Sequence, residues 1–371
     1  MAQRLSFQAI MRHLPKPIPF PRLPVISRAR AALLACLWLT LAGSAPALAA
    51  QFRLPAGGGN VVGHIQVISA DAGNTLLDIA RHYDLGFNEI TAANPGVSIW
   101  VPGAGTRIVV PTQFILPPKP WVGIVVDIPR RRLYYFPRHP ANQPGTVITF
   151  PVGISRNGWP TPLGRTSIIA KFKDPKWIVP KDIQQEHQQE GQTNYPSYFP
   201  PGPDNPMGML ALQTGFPEIY IHGTDRPWGV GMRVSHGCVH LYPENAAYLF
   251  PRVPVGTPVR IIDQAVLVGE RNHVLYLSIS KPVAGYPGAQ DSLRLQTQEA
   301  IAQFARTHRG ALPAIDWTTV RGVLAARDIM PTPISSGAPT LTQEIAVLTP
   351  TQYAFAPYGM SANAAAPPAV H

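Results

Sequence analysis

The spacing of apolar and polar residues divides the chain into segments typical of short β-strands and a few typical of helices. Eight strand-like segments lie between turn residues: HIQVI, WVGIVVDI, RRLYYFP, TVITFPVGI, RTSIIAKFK, PEIYIHG, SHGCVHL and TPVRIID. β-Branched and aromatic residues are frequent within them, and Gly, Pro, Asn and Asp separate them, which is the pattern of many short strands. The pattern predicts a mainly β protein built as a sandwich or a closed sheet.

Helical periodicity appears between the first of these strands and a further strand-like segment, TRIVVP. In GNTLLDIARHY the apolar residues recur at helical spacing, at Leu76, Ile79, Ala80 and Tyr83. Asn74 can cap this helix, and a second short helix, FNEITAA, ends at the sequence NPG. Residues 64–112 are therefore predicted to form a small βααβ module.

The C-terminal third of the chain has a different pattern of predicted elements, with more helix than strand. Residues 265–340 are predicted to contain one strand, NHVLYLSIS, and two helices over 291–309 and 317–328. A short helix is also expected earlier, over Pro243–Phe250. The Ala-, Pro- and Thr-rich residues 341–371 are expected to be disordered.

The first fifty residues have the composition of a secretory signal. They contain six basic residues and no acidic residue, followed by the apolar run AALLACLWLTLAG and the small-residue sequence SAPALAA. The apolar run is short for a membrane span, so a transmembrane anchor is the weaker alternative. The mature protein is expected to begin near Ala50 or Gln51 and to work in the periplasm. Cleavage there removes Cys36 and leaves Cys238 as the one cysteine.

Net charge and composition exclude some functions. The formal net charge is +11, and without the six basic residues of the leader the balance is +5. Charged residues make up 14% of the chain, and the only basic run beyond the leader is Arg130–Arg132. The chain therefore has neither the basic surface of a nucleic-acid binder nor the composition of a disordered protein. A mildly basic secreted protein suits the anionic surface of a cell wall.

The sequence RVSHGCVHLYPEN places Cys238 between His236 and His240. If the segment is extended, these three side chains share one face. His222 ends an apolar strand 16 positions before the cysteine, a separation that a loop between two strand ends can span. A thiol with a reference pKa of about 8.5 needs a base or a positive setting to become a nucleophile. Acyl transfer also needs N–H donors for the oxyanion, and the backbone at Gly237 allows a close approach.

Three interpretations of this cluster compete. In the first, Cys238 is a partly ionised, accessible nucleophile beside His222 and His236. In the second, the cysteine and the three histidines of this region bind zinc, although no other cysteine or acidic cluster surrounds them. In the third, the residues only pack a core, for which histidines and a glycine are poorly suited.

The sequence IHGTDRPWGVGMRVSHGCVHL resembles the signature of the L,D-transpeptidases of the YkuD/ErfK type, in which a His-Gly pair precedes Ser-His-Gly-Cys. TPLG at 161–164 and GPDNPMG at 202–208 stand where that family has supporting sequences. The βααβ module with its NPG ending resembles a LysM domain. The resemblance implies a β-sandwich-like catalytic domain over 121–264, a LysM-like module, a Pro-rich linker over 113–120 and a short helical C-terminal region.

The resemblance also assigns roles to individual residues. It makes Cys238 the nucleophile and His222 the general acid and base, oriented by the carbonyl of Gly223. His236 would lie beside the sulfur and shape the oxyanion region with the amides of Gly237 and Cys238.

Four residues are implied to bind the donor peptide: Gly223, Ser235, His240 and Tyr220. The family usually has Arg or Asn where this chain has His240. Because histidine can change charge between about pH 5 and 8, His240 is expected to tune donor binding with pH. Four residues of the supporting sequences are expected to be structural: Thr161, Gly164, Asn205 and Gly208.

The implied reaction is an acyl transfer in the bacterial cell wall. Cys238 attacks the carbonyl of the third residue of a peptidoglycan tetrapeptide stem, meso-diaminopimelate in the usual pattern, and D-Ala leaves. A lysine of an outer-membrane lipoprotein, a second diaminopimelate or water then takes the acyl group. The resemblance implies no metal or organic cofactor, and it implies inhibition by carbapenems.

The module is expected to aid localisation, either as a glycan binder or, in the alternative, as a small spacer without a ligand, so that a protein starting near Trp121 keeps its turnover. Two functions of other classes remain open from the residues alone. One is a peptidoglycan-binding adaptor with a vestigial site, and the other is a zinc-dependent wall peptidase.

Overall fold

The computed structural model describes residues 50–308, residues 311–352 and residue 358. The expected signal segment and the end of the expected disordered tail lie outside these residues. Within them, none of the helices has both the length and the apolar character needed to cross a membrane.

The N-terminal part of the described chain contains short strands and two helices. They are β1 (Ala50–Arg53), β2 (Val61–Gly63), β3 (Gln66–Ser69), α1 (Leu76–His82), α2 (Phe87–Ala93), β4 (Arg107–Val110) and β5 (Gln113–Ile115). Thr75, and not Asn74, caps α1. The Thr75 hydroxyl accepts from the Asp78 N–H at 3.0 Å and the Thr75 N–H donates to the Asp78 carboxylate at 2.9 Å, which is a capping box. From β3 to β4 the elements follow the order strand, helix, helix, strand.

The central part, residues 123–262, is rich in strands. Its elements are β6 (Gly123–Asp127), β7 (Arg132–Phe136), β8 (Thr146–Pro151), β9 (Ile154–Ser155), β10 (Gly164–Lys173), β11 (Trp177–Ile178), α3 (Lys181–Gln189), β12 (Tyr198–Phe199), β13 (Leu210–Thr214), β14 (Tyr220–His222), β15 (Arg233–Ser235), β16 (Val239–His240), α4 (Pro243–Leu249) and β17 (Pro258–Ile262). The helix expected over Pro243–Phe250 is present as α4. The helix α3 occupies a stretch for which the pattern indicated no element.

The C-terminal part adds a small sheet and three helices. Its elements are β18 (Val266–Arg271), β19 (Val274–Ile279), α5 (Leu293–Thr307), α6 (Trp317–Ala326), β20 (Thr332–Pro333), α7 (Leu341–Ala346) and β21 (Thr351–Gln352). β18, β19 and β20 form one sheet, and apolar residues of α5 and α6 share its buried cluster. Residues 341–352 were expected to be disordered, yet they contain α7 and β21, and Thr351 pairs with Ile68 of β3.

A nine-stranded sheet forms the centre of the molecule, with the order β1-β8-β7-β6-β17-β10-β13-β14-β16. The prediction of a mainly β protein is confirmed. β10 serves two halves of this sheet, because its residues 164–167 pair with β17 and its residues 168–173 pair with β13. The register is irregular between Ile168 and Ala170. A bulged strand shared by two halves is how sandwich-like sheets turn a corner.

The main core draws side chains from both halves of the sheet. Its fully buried members include Ile124, Leu133, Phe150, Ile168, Ile221 and Val239. Ile221 precedes His222, and Val239 follows Cys238. Since alternate residues of a strand face opposite sides, burial of these two apolar residues fixes β14 and β16 with the candidate catalytic residues on the other face.

The second face of β6, β7 and β8 packs against the βααβ module. Residues of the sheet and of the module form one buried cluster, which includes Val125, Tyr134, Phe136 and Val147 on the sheet and Leu76, Ile79, Ile90 and Ile108 in the module. Every residue of β6 and β7 is buried. The expected linker over 113–120 is not a free spacer, since β5 pairs with β2 and Arg260 donates to the carbonyl of Lys119 at 3.2 Å.

Candidate active site

Two parallel strand ends bring the predicted cysteine and histidine together. β14 and β16 are hydrogen-bonded neighbours, with Ile221 opposite Val239 and His222 opposite His240. By this register His222 and His240 lie on the same face of the strand pair, and Cys238 directly precedes β16 with its sulfur 3.4 Å from the Tyr220 N–H. The rings of His222 and His240 lie 4.6 Å apart between centroids. The crossover that returns the chain from β14 to β16 contains β15.

The sequence SHGC forms a turn and not a continuous strand. β15 ends at Ser235 and β16 begins at Val239, and Gly237 between them has a φ of +106°, a region that favours glycine. The expected extended segment with three side chains on one face is therefore interrupted at Gly237. The Ser235 hydroxyl donates to the carbonyl of Cys238 at 2.5 Å, so this predicted donor-binding residue is engaged inside the turn.

Cys238 is half-buried and holds a neutral thiol. Its sulfur accepts from the N–H of Tyr220 at 3.4 Å and lies 3.5 Å from the carbonyl of Glu218, to which the S–H donates. Burial raises the pKa of Cys238 to about 11, and the charge of Glu218 adds to this while the Tyr220 N–H opposes it. The expectation of a partly ionised thiol is therefore wrong for the free protein, because desolvation outweighs the one N–H donor.

His222 is buried, and one nitrogen of its ring is available to accept a proton. Its Nδ1 lies 2.6 Å from the carbonyl of Gly223, which makes Nδ1 the protonated nitrogen and leaves Nε2 as the acceptor. Burial lowers the pKa of His222 to about 4, against the opposing effect of the Gly223 and Met207 carbonyls. The imidazole is thus neutral at neutral pH. The contact with Gly223 is the one that the resemblance implies.

The segment GPDNPMG packs next to Gly223, whose carbonyl orients His222. Gly208 has a φ of +61°, and a Cβ at this position would lie 2.9 Å from the carbonyl carbon of Gly223. The buried Asn205 donates to the Pro175 carbonyl at 2.7 Å and accepts from the Met207 N–H at 2.9 Å. Gly208 therefore packs against Gly223, and Asn205 holds the turn that contains Gly208, whose N–H donates to the Asn205 carbonyl at 2.8 Å, so both roles are structural.

His236 faces a charged cluster that sequence reasoning missed. Its Nε2 lies 2.9 Å from the Glu186 carboxylate, and the guanidinium of Arg156 contacts both groups. Trp159 donates to the same carboxylate at 3.1 Å and packs edge-on against the His236 ring. Burial lowers the pKa of His236, the Arg156 cation lowers it further, and Glu186 opposes them. The ring therefore lies between two groups of opposite charge, whose effects on its pKa oppose each other.

Glu186 was missed because its helix has little apolar periodicity. Ile183 is the buried residue of α3, and most of the helix, KDIQQEHQQ, is polar. The available signal was Pro180 before a run of strong helix formers with Asp182 in the first turn.

The surroundings of His240 disfavour its charged form. Burial holds its pKa well below the ordinary value, and His222 and His236 lower it further. Its backbone exchanges two hydrogen bonds of 2.9 Å with Gly153. The expected change of charge between pH 5 and 8 is therefore not supported, because the imidazolium would lie in a desolvated position beside another imidazole.

The zinc interpretation does not match the arrangement of side chains. Among the residues that the structure describes, no three or more His, Cys, Asp or Glu side chains converge as a metal site requires. His236 points its Nε2 to Glu186, and His222 points its Nδ1 to a backbone carbonyl. Both histidines have hydrogen-bond partners other than the sulfur.

Comparison with known proteins supports the enzyme interpretation. The family model of the YkuD L,D-transpeptidase catalytic domain matches residues 122–261. The chain is 35% identical over 302 residues to the "Probable L,D-transpeptidase ErfK/SrfK" of Salmonella typhimurium, with 79% of this chain and 94% of the relative covered. It is 39% identical over 243 residues to the "Probable L,D-transpeptidase YbiS" of Escherichia coli, with 64% and 77% covered.

Solved structures resemble part of the chain. One is the C442S mutant of an Enterococcus faecium L,D-transpeptidase, with 19% identity, a TM-score of 0.28 and coverage of 38% of this chain and 49% of that one. Another is L,D-transpeptidase 3 of Mycobacterium tuberculosis with a faropenem-derived adduct, with 19% identity, a TM-score of 0.28 and coverage of 43% and 66%. The match thus spans about half to two thirds of these solved chains.

Proposed function

Since the chain belongs to the L,D-transpeptidase family and is a transferase acting on peptidoglycan, we propose that it works by cysteine acyl transfer in the periplasm. The observation that carries this proposal is the parallel pairing of β14 with β16, which brings His222 beside the start of β16, where Cys238 directly precedes the strand and its sulfur contacts the Tyr220 N–H at 3.4 Å. The thiol is neutral, and the imidazole is neutral with Nε2 unprotonated. This is the resting state that general-base activation of a cysteine requires.

The acylation step follows from this geometry. His222 Nε2 takes the thiol proton as the Cys238 sulfur attacks the carbonyl of the third residue of a tetrapeptide stem. The imidazolium then gives that proton to the departing amine of D-Ala, and a thioester remains. The Gly223 carbonyl keeps the ring oriented throughout, because it accepts from Nδ1 at 2.6 Å.

The turn SHGC offers donors for the oxyanion of this step. Within the described part of the chain, the amides of Gly237 and Cys238 have no hydrogen-bond acceptor. Both are adjacent to the attacking sulfur. N–H groups preorganised in this way stabilise the negative charge of the tetrahedral intermediate.

Transfer completes the cycle. An acceptor amine attacks the thioester, His222 takes its proton, and the thiol is released as the new amide forms. We propose a lipoprotein lysine or a second diaminopimelate as the acceptor, with hydrolysis as the outcome when water attacks. Comparison of wall peptides from cells with and without the gene distinguishes the three products.

We propose donor contacts for the residues that flank the sulfur. The Tyr220 N–H donates to the Cys238 sulfur at 3.4 Å, and the half-buried Tyr220 ring packs against Phe172, at 6.5 Å between ring centroids. The neutral His240 lies beside the base. A stem peptide that reaches Cys238 therefore passes these two side chains.

The βααβ module is proposed to bind the glycan strand as a LysM-like domain. Its order of elements and the turn that follows the helix α2 support this assignment. The test uses Cys238→Ala protein, so that acyl capture cannot retain it on the wall. Sedimentation with insoluble peptidoglycan should be reduced by N-acetylglucosamine oligomers. Sedimentation that is unaffected by the oligomers would assign wall binding to another surface.

Intact-mass measurement after incubation with a carbapenem tests the catalytic proposal. The wild-type protein should gain one drug mass, the gain should survive a chelator, and it should vanish in Cys238→Ala. His222→Ala should react more slowly by roughly 10²–10⁴-fold, the usual worth of general-base assistance. A folded wild-type protein without an adduct would favour the adaptor, and an adduct lost on chelation would favour the zinc peptidase.

A further inference from the structure

A chain of buried hydrogen bonds joins the C-terminal region to the peptide bond before the nucleophile. The Thr161 hydroxyl donates to the carbonyl of Gly237 at 2.7 Å, and the Thr161 N–H donates to the Tyr286 hydroxyl at 2.8 Å. The Tyr286 and Ser155 hydroxyls share a hydrogen bond of 2.7 Å. Thr161, Ser155 and Tyr286 are exposed by only 1%, 0% and 3%. These hydrogen bonds are therefore shielded from solvent, and hydrogen bonds in such an environment are strong.

The first of these bonds fixes the direction of an amide beside the sulfur. A trans peptide is planar, so its C=O and N–H point in opposite directions. The carbonyl of Gly237 and the N–H of Cys238 belong to one peptide group. When Thr161 holds that carbonyl, the Cys238 N–H is turned the opposite way, with no acceptor in the described part of the protein.

This peptide group needs a restraint because it follows a glycine. At a φ of +106°, Gly237 has more freedom than any other residue type to rotate the plane. The carbonyl on the other side of the cysteine is held too, since the Ser235 hydroxyl donates to the Cys238 carbonyl at 2.5 Å. Two hydroxyls thus hold the two carbonyls that flank the nucleophile.

We propose that Thr161 is a positioning residue for the oxyanion-stabilising amide of Cys238, and that Tyr286 holds Thr161 in place. The inference rests on the proposed acyl transfer by Cys238. It gives the C-terminal region a role in catalysis, because Tyr286 lies beyond residues 122–261, the range of the catalytic-domain match. Thr161 acts through the backbone and touches neither the sulfur nor the general base.

Two reactions of the same thiol separate this role from simple structural support. Carbapenem acylation passes through a tetrahedral oxyanion, whereas alkylation by iodoacetamide displaces iodide and develops no oxyanion. The rate constants of both reactions are measured for full-length wild type, Thr161→Val, Thr161→Ser and Tyr286→Phe. The matched control is Thr257→Val, which removes a similar 2.7 Å bond from a threonine hydroxyl to the Pro254 carbonyl.

We expect the two rate constants to respond differently. Acylation should fall roughly tenfold to a hundredfold in Thr161→Val, less than the about 10²–10³-fold loss on removing an oxyanion donor outright, because the freed peptide still samples the right orientation. Alkylation should stay within about twofold of wild type. Thr161→Ser keeps the hydroxyl and should keep most of the acylation rate. In Tyr286→Phe the acylation rate should fall several-fold.

Three results would overturn the inference. Unchanged acylation in Thr161→Val would show that the hydroxyl does not position the amide. An equal loss in acylation and alkylation would assign Thr161 to support of the turn as a whole. A wild-type protein that forms no adduct would refute the proposed function itself, and so is distinguishable from the other two. If Thr161→Val does not fold, Tyr286→Phe tests the same series of hydrogen bonds by the removal of a single oxygen atom.

Discussion

Glu89 of the βααβ module and Arg132 of the main sheet form a buried ion pair, with Arg132 Nη2 2.6 Å from Glu89 Oε2 and Nε 2.7 Å from Oε1. The Arg132 side chain is fully buried and also donates to the carbonyl of Asp84 at 2.8 Å. A charge in such a position needs every partner it has, because removal of one partner leaves an uncompensated buried ion. The pair therefore ties the module and the sheet into one folded unit.

The module also contacts the chain on both sides of the SHGC turn. Phe87 N–H donates to the Val230 carbonyl at 3.0 Å before the turn. After it, Arg81 forms a two-pronged ion pair with Glu244 at 2.7 and 2.8 Å. A glycan bound to the module would thus be held by the same folded unit that carries the candidate active site.

A shortened protein that starts near Trp121 should not keep the turnover expected from the sequence. It would expose the second face of the sheet, including Val125, Tyr134 and Phe136, and leave Arg132 without Glu89. We expect loss of soluble, cooperatively unfolding protein, measured by yield and thermal denaturation. Full adduct formation with a carbapenem by the shortened protein would contradict this prediction.

Asp127 should make the stability of the protein fall as pH rises. Neither oxygen of its carboxylate has a hydrogen-bond partner among the described residues. Burial raises its pKa from 3.8 to about 7, against the attraction of Arg130. The folded state thus holds one more proton than the unfolded state between these values, so this contribution is present below pH 3.8 and lost as pH rises towards 7.

Urea denaturation between pH 4.5 and 7.5 checks this prediction. The slope attributable to Asp127 is at most about 1.4 kcal/mol per pH unit, and Asp127→Asn should flatten it. Asp71→Asn, at an exposed position, is the control and should leave the slope as in wild type. A steeper or unchanged slope in Asp127→Asn would mean that the buried carboxyl group does not titrate in this range.

The pH profile of acylation should not depend on His240. Burial and the two neighbouring histidines hold its pKa well below the ordinary value, so its titration is displaced to the acidic side of the usual range of histidine. His240→Asn should keep the shape of the carbapenem acylation profile, whatever its effect on the absolute rate. A displaced acidic limb in this variant would restore the sequence-based hypothesis of a titrating donor site.

The free thiol should react as a neutral group that must be deprotonated. With a pKa near 11 for Cys238, alkylation by iodoacetamide should rise roughly tenfold per pH unit from pH 7 to 9, because the thiolate is the reacting form. His222→Ala should keep this rise of the alkylation rate, while its acylation by a carbapenem slows by roughly 10²–10⁴-fold. A plateau of the alkylation rate near pH 7 would instead reveal a resting thiolate paired with an imidazolium.

Local patterns in the sequence were sufficient to predict the strands and to select His222 and Cys238 as the candidate reactive pair. The aromatic and β-branched residues of RRLYYFP and TPVRIID, with turn residues around them, predict β7 and β17. The spacing of His222 and Cys238 predicts their meeting, because both stand at the ends of short apolar strands. The resemblance to the L,D-transpeptidases is confirmed, and it depended on these same residues.

Only the tertiary structure decided how the site is supported and charged. Glu186 contacts His236, 50 positions away, and Tyr286 contacts Thr161, 125 positions away. Sequence periodicity predicts local structure and does not predict contacts at such separations. The burial of β6 and β7 on both faces depends on where the module packs. The shifts in the pKa values of Cys238, His222 and His240 were likewise beyond the sequence, because desolvation depends on every chain segment that closes around a group and not on its neighbours along the chain.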